Sequence, residues 1–109
     1  MASSKTAQSA LDMLVLTILS RRGPMHGYGI ANAIQELSED GLRVDEGSLY
    51  PALHRMEESG WIKAEWVVTE NRRRARIYRI NRAGAKQLVT ETENWNNLSA
   101  GVSRVLRHA

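Results

Sequence analysis

The chain has 109 residues, a formal net charge of +3, no cysteine and 42% hydrophobic residues, enough for one modest core. Without cysteine there is no disulfide, no thiolate nucleophile and no Cys-based zinc site. The longest strongly apolar stretch, Met13 to Leu19 with Thr17 inside it, is far too short to span a bilayer, and the opening Met-Ala-Ser-Ser-Lys lacks the apolar segment of a secretion signal, so no membrane partner and a cytoplasmic protein are expected.

Residues 1–8 are small and polar and read as a disordered tail. A helix is expected from Ser9, where Ser9 and Asp12 have capping-box spacing. Leu11, Leu14, Val15, Ile18 and Leu19 form its apolar face, and Met13 and Leu16 widen that face beyond one side, so the helix calls for two neighbours and a share in a subunit interface. Arg21 and Arg22 suit its negative end, and Gly23-Pro24 stops it. A second helix is expected over 27–37, with Ile30, Ala33, Ile34 and Leu37 on one face; Gly27 and Gly29 in its first turn permit close backbone approach. Leu42-Arg43-Val44 reads as a short strand. Asp45 then caps a third helix running from Glu46 to about Ser59 and closed by Gly60, with Leu49, Ala52, Leu53 and Met56 facing inward. Pro51 lies inside it, at a point where little backbone bonding is lost.

After Gly60 the period changes from 3.6 to 2. Ile62, Ala64, Trp66 and Val68 alternate with polar residues, as do Tyr78 and Ile80, around a polar turn at Thr69–Arg74. The charge is uneven: residues 51–109 hold eleven Lys/Arg against six Asp/Glu, and six arginines fall between Arg72 and Arg82 with no acid among them. Such a block is the electrostatic footprint expected for a polyanion. Asn81 caps a last helix, on which Leu88, Thr92, Trp95, Leu98, Val102, Val105 and Leu106 recur at three- and four-residue steps. A small domain cannot bury all of that stripe, so a partner helix is expected.

Three helices followed by a hairpin is the winged helix-turn-helix order: mainly α with a small β-hairpin over 9–80, then a long C-terminal dimerisation helix over 81–109. In that architecture the third helix enters the major groove and the wing follows the backbone or minor groove. With Leu49, Leu53 and Met56 inward, the outward face holds Ser48, Pro51, His54, Arg55 and Glu58, flanked by Tyr50. An outward Arg55 would reach a guanine edge or a phosphate. Against an enzyme, His26, His54 and His108 share no metal-ligand spacing, and no Ser-His-acid set is placed together; neither cofactor nor metal is expected. The alternatives are a winged helix used only for protein–protein contact, with no operator binding, and a ligand sensor whose DNA binding is lost, against which the intact recognition face argues.

The run Gly47-Ser-Leu-Tyr-Pro-Ala-Leu-His-Arg-Met-Glu-Glu-Ser-Gly-Trp-Ile62 resembles the signature of PadR-family transcriptional regulators. So do His26-Gly-Tyr-Gly-Ile30 and the stretch Arg76-Ile-Tyr-Arg-Ile-Asn-Arg-Ala-Gly84. The similarity covers roughly residues 10–107. It implies a homodimeric repressor of the small subgroup with one C-terminal helix, which packs against the partner's first helix, bound to double-stranded DNA at an inverted-repeat operator. By position, it puts Ser48, Tyr50, Pro51 and His54 at the DNA-facing start of the recognition helix and Tyr28 where helix N–H groups hold a phosphate. Arg72, Arg73, Arg74 and Arg76 become phosphate or minor-groove contacts, which set affinity more than sequence choice. Leu88, Trp95, Leu98, Val102 and Leu106 become the dimer seam. Trp95 paired with its mate, with Ser99 one turn on, corresponds to a place where some small members hold planar aromatic effectors; plain dimer-core packing is the competing role. Trp61 and Trp66 are expected to pack in the wing and core. The sequence departs from the family pattern at Asn71, where glycines are frequent, and at Asn81, where threonine is usual. Asn81 remains a competent cap, so only the wing tip's conformation is left open.

Overall fold

The computed structural model describes residues 3–109, with side chains from Ala7 onward. Four helices and three strands follow in the order α1 (Ser3–Arg22), β1 (Met25–His26), α2 (Gly27–Leu37), α3 (Glu46–Glu58), β2 (Ile62–Val68), β3 (Arg74–Ile80) and α4 (Arg82–His108). α1 begins at Ser3, so residues 3–8 of the expected tail are helical, Ser9 is no cap, and residues 1 and 2 lie outside the described residues. The breadth of its apolar surface has an intramolecular cause. α1 packs against α2, α3, α4 and β3 of its own chain, and Val15 and Leu16 are completely buried there.

Gly23 takes φ +88°, and its N–H donates to the Leu19 carbonyl (3.1 Å), the left-handed close that glycine permits. The chain then lays two residues, Met25 and His26, antiparallel against Tyr78 and Ile77. This third strand replaces the one expected at Leu42–Val44, which is not a strand. The sheet order is β1-β3-β2. His26 doubles as the cap of α2, its Nδ1 accepting from the Gly29 N–H at 2.9 Å. Asp45 caps α3 as the sequence suggested, accepting from the Ser48 N–H at 2.8 Å. α3 runs through Pro51, where the missing N–H leaves one helical bond unmade.

The core joins Val15, Leu16, Ile18 and Leu19 of α1 with Ile30, Ala33 and Ile34 of α2, Leu49, Ala52, Leu53 and Met56 of α3, and Ile62 and Tyr78 of the sheet. α4 starts at a tight junction. Asn81 accepts from the Gly84 N–H (2.8 Å) and donates its side-chain N–H to the Gly60 carbonyl (2.7 Å). Gly84 sits so close to Trp61 that a Cβ there would fall 2.1 Å from the Trp61 carbonyl oxygen. Leu88, expected at the dimer seam, is partly buried against the domain core. Past Trp95, Val102, Val105 and Leu106 stand exposed, Leu106 at 79%.

Candidate nucleic-acid interface

The first three turns of α3 carry exposed side chains at Ser48, Tyr50, Pro51 and His54. Leu49, Ala52, Leu53 and Met56 are all buried, so the helix is fixed in rotation and these four positions are its solvent face. Tyr50 leans on α2: a Cβ on Gly27 would come within 2.9 Å of its ring carbon Cε1 and its Oη. The bare Gly27 backbone is what admits the ring, which explains a glycine in the first turn of a helix. Tyr28, one residue on, is exposed, and its ring stacks beside that of His26 at 6.3 Å. The start of α2 and the start of α3 are thereby brought together. His54 Nε2 lies 2.5 Å from Glu58 Oε1, one turn along the same helix.

Arg55 departs from the expected outward position. Its Nη1 and Nη2 donate to the two carboxylate oxygens of Asp12 at 2.7 and 2.8 Å, a bidentate pair joining α3 to α1. The Asp12 side chain is 4% exposed and that of Arg55 37%. The hydrogen bond to Asp12 is the main cause that raises the Arg55 pKa, opposed by burial and helped by the negative charges of Asp12 and Glu91. A buried carboxylate needs a partner, and Arg55 is that partner. Glu91, on α4, is also buried; one oxygen accepts from Gln87 at 2.7 Å and the other has no partner among the described residues.

The wing is the β2–β3 hairpin, with Trp66 opposite Arg76 and Val68 opposite Arg74. At its tip the Arg72 N–H donates to the Thr69 carbonyl (2.9 Å) and the Thr69 N–H to the Arg73 carbonyl (2.8 Å). Arg72 closes this turn at φ +59°; the left-handed residue at the tip is thus an arginine, and neither Asn71 nor a glycine. Arg72, Arg73 and Arg74 are exposed. Arg76 is not free: its Nη2 donates to Glu57 Oε2 at 2.8 Å, tying β3 to α3. Arg79 pairs with Glu65 across the strands at 2.5 Å. Trp61 is partly buried against the core as expected, but Trp66 is 55% exposed, with the Arg74 and Arg76 guanidinium carbons 4.8 and 5.6 Å from its ring centroid. Sequence reasoning missed the roles of Asp12, Glu57, Trp66 and the cap His26. For Trp66 a signal existed, because a two-residue alternation carried past the end of the core leaves an aromatic opposite an arginine.

Along α4, Trp95, Ser99, Val102 and Leu106 are exposed and Leu98 is half-buried. Leu98, Gly101, Val102, Val105 and Leu106 line a shallow apolar groove. No helix among the described residues is long and apolar enough to cross a membrane.

Residues 15–90 match the profile of the transcriptional regulator PadR-like family. A transcriptional regulator of Mycobacterium tuberculosis is 41% identical over 68 residues, 62% of this chain and 63% of that protein. The chain thus spans somewhat under two thirds of that relative's length, and 24% of a second, 38% identical relative from a Streptomyces fradiae transposon. Among solved structures, a Clostridium thermocellum transcriptional regulator superposes with a TM-score of 0.80 at 27% identity, over 88% of this chain and 92% of that one. A PadR family transcriptional regulator of Eggerthella lenta gives 0.72 at 27% identity, over 98% and 93%. Fold, family profile and relatives agree: the chain belongs to the PadR-like family, whose members are transcriptional regulators and not enzymes.

Proposed function

We propose that this chain is a cytoplasmic DNA-binding repressor that acts as a homodimer on an inverted-repeat operator. The observation that carries the DNA reading is the exposed face of α3 together with a wing bearing the exposed Arg72, Arg73 and Arg74, the wing being tied to the last turn of α3 through Arg76 and Glu57. Ser48, Pro51 and His54 are the residues that face base edges. Tyr28, Tyr50 and the exposed arginines position the duplex by its backbone. Arg55 is removed from the reading set and becomes the brace between α1 and α3.

The dimer reading rests on the apolar stripe of α4 beyond Trp95, where Val102, Val105 and Leu106 are left exposed by the described residues. A two-fold dimer presents two recognition helices to half-sites one helical turn, or a multiple of it, apart. Trp95, with Ser99 one turn on, is the proposed site for a planar aromatic effector between the two α4 helices. Such a ligand releases DNA only if it binds the DNA-incompetent dimer more tightly.

Selection of bound fragments from random duplex DNA, followed by sequencing, tests the core of the proposal. The expected product is a palindromic motif; enrichment of no motif, with only salt-sensitive binding, would refute operator recognition. Val102→Asp should give folded monomers by light scattering, and a monodisperse wild-type monomer at micromolar concentration would refute the dimer. Quenching of tryptophan fluorescence by flat dyes should disappear in Trp95→Ala and weaken when operator is bound.

A further inference from the structure

Alternation along β2 puts Ile62, Ala64, Trp66 and Val68 on one face of the sheet. Ile62 is buried and Ala64 half-buried, but at Trp66 the core has ended and the ring is left in solvent. Two arginines supply what the core does not. Arg76 is its direct cross-strand partner, Arg74 lies one step farther along the same face, and both guanidinium groups lie over the ring, inside the roughly 6 Å reach of a cation–π contact.

The two arginines differ in everything else. Arg76 is held from the other side by Glu57 of α3, and its Nε is buried without an acceptor among the described residues. Arg74 is exposed and has no carboxylate partner among the described residues. One guanidinium is thus committed within the protein, and the other is held in place yet free to bind. An exposed arginine ordinarily loses rotamer freedom when it meets a phosphate; stacked on a ring, it has lost much of it beforehand.

We propose that Trp66 is a positioning residue for DNA binding, a platform that holds Arg74 toward the duplex backbone, while Arg76, docked on Glu57, braces the wing against the recognition helix. This rests on the DNA-binding reading above. Trp66 acts through the phosphate contact of Arg74, so its contribution is independent of base sequence and dependent on the π face.

The test measures binding of the full-length protein to a labelled mixed-sequence duplex across a salt series, with melting temperature and light scattering as controls on folding and assembly. Trp66→Leu keeps apolar bulk and removes the ring. It should weaken binding about fivefold at ~0.1 M salt and flatten the log–log salt slope by about 0.9, the share of one phosphate contact. Trp66→Phe, which keeps a π face, should restore most of both. In an Arg74→Ala background, Trp66→Leu should cost nothing further, because the platform then has nothing to hold. A Trp66→Leu effect that persists undiminished in Arg74→Ala, or an unchanged salt slope, would overturn the proposal. Wild-type protein that binds no duplex would overturn the DNA reading and this proposal with it. Wild-type binding matched by Trp66→Leu would overturn this proposal alone.

Discussion

Replacing Arg55 by alanine separates two roles that one arginine could play in a recognition helix. The substitution strands the Asp12 carboxylate, 4% exposed, without its two donors at 2.7 and 2.8 Å. Removing one partner of a buried pair costs about 3–5 kcal/mol. Here the lower end applies, because the Arg55 side chain is 37% exposed and water reaches the vacated space; about 3 kcal/mol is the expected loss. For a domain of this size that lowers the melting temperature by roughly 10 °C or more. Asp12→Ala should cost less, about 1–2 kcal/mol, since the orphaned guanidinium can turn to water. The double variant Asp12→Ala, Arg55→Ala should be more stable than Arg55→Ala alone, as it removes the stranded charge. Thermal melts of the four proteins give the coupling energy. In parallel, operator selection should return the same motif for Arg55→Ala as for the wild type, measured well below the melting temperature. An Arg55→Ala protein that melts normally but prefers a different motif would refute the brace and restore Arg55 as a base reader.

Three further outcomes follow. Arg72→Gly relieves a left-handed φ of +59° and should stabilise the protein by about 1 kcal/mol, seen as a higher melting temperature, while flattening the salt dependence of duplex binding. Gly84→Ala drives a Cβ to 2.1 Å from the Trp61 carbonyl oxygen, a backbone atom with little room to yield, and should destabilise by about 3 kcal/mol in denaturant titration. Burial is the main cause that raises the Tyr78 phenol above its ordinary pKa of 10.0. Its contribution to stability is therefore complete below about pH 10 and is lost as pH rises toward the folded-state value; Tyr78→Phe should flatten the fall in melting temperature on the alkaline side.

The elements legible in the sequence were those with local signals. α2 and α3 follow from apolar periodicity, and α3 and α4 also from side-chain caps at Asp45 and Asn81 that act within three residues. The hairpin followed from alternation around a polar turn. β1 was not legible because two residues have no period, and its existence depends on Tyr78 and Ile77, some fifty positions away. Residues 3–8 carry no apolar face to announce a helix. Arg55 was placed outward because a helical wheel gives direction but not neighbours; Asp12 is 43 residues earlier in the chain. The partial cover of Leu88 by the core was not legible either, because a stripe does not reveal how far the domain's own surface reaches along it.

The junction at Asn81 and Gly84 has a consequence for spacing. There the end of α3, the root of β2 and the first turn of α4 converge on the Gly60 and Trp61 carbonyl groups. α4 has 27 residues, a rod of ~40 Å at 1.5 Å per residue. Pivoting such a rod by one degree swings its far end by about 0.7 Å, simple trigonometry on that length. In the proposed dimer the rods set how far apart the two recognition helices lie, so a rotation of a few degrees at this joint shifts their separation by a large part of a base-pair step. Half-site spacing is then written less in the residues that touch DNA than in a lever whose fulcrum is a glycine pressed against a tryptophan's backbone.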